Sequence, residues 1–112
     1  MRVLKCQNTM FYSQLDEAMF FDAMKRISAI RKIEGRGPVL FLSVPSRLSN
    51  KSLREIIGLF FRYDVDMRQL ATFLTEKNQP WFHNPEKFWF KKVFSKGMNS
   101  DSRLKSAQTR SR

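Results

Sequence analysis

"IRKIEGRGPVLFLSV", residues 30–44, sets two strand-like runs on either side of "GRGP". Two glycines and a proline in so short a connection are hairpin chemistry, because glycine reaches the positive φ of a tight reversal and proline fixes its own φ. The first run, "IRKIE", is the more polar. The second, "VLFLSV", is apolar at Val39, Leu40, Phe41, Leu42 and Val44, on both faces of a period-two ribbon, which predicts the most buried strand of a small sheet. Pro38 and Pro45 bracket it at positions where a missing N–H donor is tolerated.

Upstream, "TMFYS" (9–13) alternates weakly and is the candidate for a further short strand. Ser13 with Asp16 three residues on resembles a capping box, and "QLDEAMFFDAMKRISAI" follows a helical period. At 100° per residue Leu15, Met19, Phe20, Ala23, Ile27 and Ile30 share a face, while Phe21 points away from it, covered by the chain's own ends or exposed. Downstream, "KSLREIIGLFFRY" is the strongest helix, capped by Ser49 or Asn50, with an apolar arc broad enough to sit centrally. "DVDMRQLATFLTEK" begins with Asp66 and Gln69 at capping-box spacing and carries Met67, Leu70, Ala71 and Leu74 on one stripe. "NPEKFWFKKVF" predicts a last helix with Asn84 as cap, Pro85 at the first helical position and Glu86 near the positive end of the dipole. The order predicts an α+β fold: a mainly antiparallel sheet of about three strands, β-α-β-β, followed by three helices packed on one face. If the first strand lies beside the hairpin, the helix between them is expected to cross over right-handedly.

At 112 residues, 42% hydrophobic and 13% aromatic, the chain has the length and apolar content of one domain. Residues 1–94 form that domain. Residues 95–112, "SKGMNSDSRLKSAQTRSR", contain no aromatic residue and a single leucine, too little apolar surface to offset conformational entropy, and are expected to be a disordered basic tail. No apolar run approaches the roughly 20 residues of a membrane span. The start "MRVLKCQNTM" lacks the apolar core of a secretory signal, and a single cysteine, Cys6, makes no internal disulfide, so a cytoplasmic setting is expected.

The net charge of +11 is the outstanding global quantity. Lys96, Arg103, Lys105, Arg110 and Arg112 against Asp101 put +4 in residues 95–112, which leaves +7 on residues 1–94. A basic body favours polyanionic partners without conferring sequence specificity.

Catalytic patterns are absent from the sequence. Cys6 and His83 lie far apart without a flanking nucleophile signature. Asp64 and Asp66 read as turn and cap residues before they read as a metal pair. Asp16 and Glu17 suit a first helical turn, and "GRGP" does not lead from strand into helix as a phosphate loop does. The sequence therefore predicts no catalysis, no metal and no cofactor.

Binding residues are easier to find. Arg54, Gly58 and Arg62 recur at four-residue spacing, so two guanidinium groups flank a bare patch of helix that suits a phosphate or carboxylate, unless they pair with Glu55, Asp64 or Asp66. "WFHNPEKFWFKKVF" (81–94) interleaves Trp81, Phe82, Phe88, Trp89, Phe90 and Phe94 with Lys87, Lys91 and Lys92. Aromatics beside cations suit single-stranded nucleic acid, a protein-binding hot spot, or a core lid under lysine stems. The expectation is a small binding module that engages nucleic acid or another polyanion through Arg54, Arg62, Lys87, Lys91 and Lys92, with Trp81 and Trp89 stacking. The alternative is a protein-interaction module, an adaptor or toxin-neutralising partner, anchored by the C-terminal aromatics and Phe21.

Overall fold

A computed structural model of the chain describes residues 1–7 and 11–95. Strands β1 (Arg2–Cys6), β2 (Lys32–Arg36) and β3 (Val39–Val44) form one antiparallel sheet in the order β1-β3-β2. Helices α1 (Gln14–Arg26), α2 (Asn50–Arg62), α3 (Gln79–Phe82) and α4 (Phe90–Phe94), with a 3-10 segment at Arg68–Phe73, complete an α+β fold. As its two-sided apolar pattern predicts, β3 lies between the other two strands. The hairpin is tighter than the four-residue connection the sequence suggested. Arg36 pairs with Val39, so Gly37 and Pro38 alone reverse the chain. Gly37 takes φ +58°, and the fixed negative φ of proline follows it, the sign pattern of a two-residue II′ turn.

Among the described residues the first strand is Arg2–Cys6, and the strand expected at residues 9–13 is only partly described. Thr9 and Met10 lie outside the described residues, and Phe11 to Ser13 do not join the sheet. Phe11 instead sets its ring 5.4 Å from Phe20 and 6.1 Å from Tyr63, which commits it to the helical side of the core. The strand is "RVLKC", with Leu4 and Cys6 buried against the helices and Val3 and Lys5 facing outward. Its outer edge is closed by one side chain. The Gln69 amide accepts the Lys5 N–H at 2.8 Å and donates to the Lys5 carbonyl at 2.8 Å, replacing the neighbouring peptide an edge strand lacks.

The Ser13 hydroxyl accepts the Asp16 N–H and starts α1. The helix is rotated relative to the face expected from its period. Phe20, Met24 and Ile27 are buried, whereas Leu15 and Met19 are 67% and 47% exposed, because the burial centres on the Phe20 ring, which meets Tyr63, just past the end of α2, at 4.8 Å. Phe21 is half-buried against Phe20 at 5.7 Å. Ser49 caps α2 through the Ser52 N–H, and Leu53, Ile56, Ile57, Leu59 and Phe60 make α2 the centre of the core. The helix ends with Val65 N–H on the Phe60 carbonyl at 2.9 Å and Asp64 at φ +58°, a left-handed stop taken by a non-glycine residue.

After α2 the expected long helices are broken into short ones. Met67, Leu70 and Phe73 are buried at every third residue, which is the period of a 3-10 turn rather than of an α-helix, and Leu74 is left exposed. Buried Asn78 ends the segment by accepting the Thr75 N–H and donating to the Phe73 carbonyl. Asn84 caps only a turn, through the Glu86 N–H, and α4 starts six residues later. Ser95 follows α4, and the expected tail beyond it lies outside the described residues. Among the described residues no helix is long and apolar enough to cross a membrane.

Candidate functional site

Three surfaces combine cations with apolar groups. The first is the outer face of the sheet. Leu4, Cys6, Leu42 and Val44 enter the core, so the alternate residues Val3, Lys5, Phe41 and Ser43 face away from it. Register places Lys5, Phe41 and Glu34 in one row across all three strands. Phe41 is half-buried by its neighbours and is not part of the core cluster. The Arg36 guanidinium lies 5.0 Å and the Lys5 ammonium 5.9 Å from its ring centroid. Glu34 sits 3.5 Å from Arg36 and 3.9 Å from Lys32, all exposed enough for solvent to screen them. An aromatic ring with cations on a sheet face outside the core is the result.

The second surface contains the predicted arginines. A groove of about 700 Å³ runs between α1 and α2, with Arg54, Gly58 and Arg62 on one wall, Ala18 and Asp22 on the other, and Leu59 among the residues between. The alternative, that the arginines pair with Glu55, Asp64 or Asp66, is not seen among the described residues. Asp66 holds Arg68 at 3.2 Å, Asp64 holds Lys92 at 3.8 Å, and neither Arg54 nor Arg62 has an ion pair among the described residues. Arg54 instead lies 4.4 Å over the Trp81 ring, so these two predicted residues meet. Gly58 is unusual. A Cβ there would meet nothing within 4 Å and its φ is not positive, yet glycine inside a helix costs about 0.5–1 kcal/mol relative to alanine.

The third surface is the C-terminal aromatic cluster, which is mostly a lid on the core. Phe82 is fully buried, with Trp81 and Phe94 against it at 5.6 and 5.0 Å. Trp89 meets Trp81 at 5.9 Å and donates its indole N–H to the Phe82 carbonyl at 2.8 Å. Only Phe88, 54% exposed, and its edge-to-face partner Phe61, 41% exposed, remain open. Lys87 and Lys91 are exposed, and Lys92 lies 5.6 Å over Phe61. The structure thus joins Arg54 to Trp81, leaves Arg62 on the groove and Lys87, Lys91 and Lys92 at the far end of the chain, and puts Trp89 and Phe21 against the core.

Cys6 is buried in the sheet, and burial pushes its thiol up from 9.0 to about 12, so it stays protonated at neutral pH, the wrong state for a nucleophile. His83 packs against Phe90 and Phe94 at the surface. Among the described residues no three His, Cys, Asp or Glu side chains group as metal ligands. Sequence reading missed Phe41, Lys5 and Arg36. The signal was strand parity: with Leu42 and Val44 inward, Phe41 must be outward. No family model, curated protein or solved structure matches the chain.

Proposed function

We propose that this protein is a non-catalytic binding module for single-stranded nucleic acid, RNA or DNA, which stacks a base on Phe41 at the outer sheet face. The observation that carries the reading is the Phe41 ring outside the core with Arg36 and Lys5 against it. Magnitudes favour exchange of those cations for a base. An exposed cation–π contact contributes about 0.5–1 kcal/mol, whereas a base on an aromatic ring contributes about 1–3 kcal/mol. Lys5 and Arg36 then swing outward to the flanking phosphates, and Lys32 extends the cationic path along β2. The basic body of the chain supplies long-range attraction. The buried free thiol of Cys6 suits a reducing, cytoplasmic setting.

The test is fluorescence anisotropy of labelled single- and double-stranded RNA and DNA with salt titrated to physiological strength. Three phosphate contacts on a single strand predict a log–log salt slope of about −2. Phe41→Ala is expected to weaken binding about tenfold or more while lowering stability by only about 1 kcal/mol, since the ring lies outside the core cluster. Lys91→Glu with Lys92→Glu is expected to change little. Retained affinity in Phe41→Ala, or loss confined to the lysine variant, overturns the assignment of the sheet face.

A further inference from the structure

The groove between α1 and α2 lies on the helical side of the molecule and does not share the sheet-face residues. We infer that it is a docking site for an acidic amphipathic helix of a partner protein. Gly58 is the first reason. Among the described residues nothing lies within 4 Å of a Cβ placed there, its backbone conformation does not call for glycine, and alanine would suit the helix better. A residue that the fold does not need, placed on the groove wall, is explained by an occupant that comes close to the helix backbone there. Arg54, Gly58 and Arg62 form one ridge of α2 with a notch in the middle, and a ridge of side chains on another helix fits such a notch.

Charge names the occupant. Arg54 and Arg62 flank the notch about 12 Å apart along the axis, from eight residues at about 1.5 Å rise, and neither has an ion pair among the described residues. The Arg54 guanidinium lies 4.4 Å over the Trp81 ring, a contact that restrains the side chain and uses none of its N–H donors, which stay available to a carboxylate. Asp22, across the groove, is occupied by Arg26 at 2.9 Å. Glu55 stands on the α2 wall beside Arg54 and requires a neutral or basic residue opposite it, which fixes the direction of the occupant. Ala23, Ile27 and Leu59 offer the apolar contact for a helix stripe. A second copy of a chain with net charge +11 is a poor occupant of a wall that presents two arginines.

The probe is an acetylated and amidated peptide of about twenty residues, with leucine and alanine at helical spacing and two glutamates eight positions apart. Its control replaces both glutamates by lysine. Titrated into the full ¹⁵N-labelled chain, the glutamate peptide is expected to give saturable shifts at Ala18, Ala23 and Gly58, and the lysine peptide none. Arg54→Glu with Arg62→Glu is expected to weaken binding about tenfold or more, and Gly58→Leu to do the same by filling the notch. Gly58→Ala is expected to raise Tm. No saturable shift, equal binding of the lysine peptide, or full binding by Gly58→Leu overturns the proposal, as does a lower Tm in Gly58→Ala, which would show that the fold itself needs the glycine. Shifts at these residues that grow with protein concentration alone would assign the groove to self-association instead. Shifts at Phe41 on adding a single-stranded oligonucleotide report the sheet face separately, so either surface can fail without the other.

Discussion

Cys6 shows how one residue couples burial to pH. Its side chain is 1% exposed among Leu4, Leu42 and other apolar neighbours, and its thiol is pushed up from 9.0 to about 12 by desolvation. The native state therefore keeps a proton that the unfolded chain releases above pH 9. The stability associated with this group is complete below pH 9 and falls as pH rises from about 9 towards about 12. Between pH 8 and pH 10 the loss is about 1.4 kcal/mol, and Cys6→Ala should lack that component while sharing every other titration. Urea unfolding of both proteins at the two pH values measures the difference. The same protonation should keep the native thiol unreactive to an alkylating reagent at pH 8, with modification appearing only in denaturant.

Elements were legible where two independent signals agreed. For α1 and α2 a capping serine and a helical period coincide, and the hairpin combines turn residues with an apolar run. The 66–77 segment failed because Met67 and Leu70 fit a period of three as well as 3.6. Only the choice between Phe73 and Leu74 separates them, and burial goes to Phe73, at 4% exposure against 38%. The first strand failed because "RVLKC" offers just two inward positions, and its edge partner is a glutamine side chain far along the chain rather than a strand. That glutamine carries a prediction. Gln69→Ala removes both bonds to Lys5 and should destabilise the fold by about 1–2 kcal/mol, with faster hydrogen exchange at the Lys5 amide than at the β3 amides. An unchanged exchange rate at Lys5 would mean that water replaces the amide without loss.

For the whole molecule, the aromatic-rich C-terminal third packs mostly over the core, with Phe88 left exposed. Trp89→Ala removes a half-buried ring and the bond to the Phe82 carbonyl, and should cost about 3–5 kcal/mol in urea unfolding. A loss below 1 kcal/mol would place Trp89 outside the core. Composition indicated a basic, aromatic-rich domain, and spacing found Arg54, Gly58 and Arg62. Neither revealed that Arg54 would meet Trp81, because a contact across 27 positions of sequence has no local signature. Phe41 was hidden for the opposite reason, since a strand apolar on both faces conceals which ring points outward until register is known. The Gln69 clamp also sets an order of events during synthesis. Lys5 leaves the ribosome 64 residues ahead of the side chain that seals it, roughly 3–13 s at about 5–20 residues per second, and through that interval the nascent β1 edge is open to chaperones and to neighbouring chains.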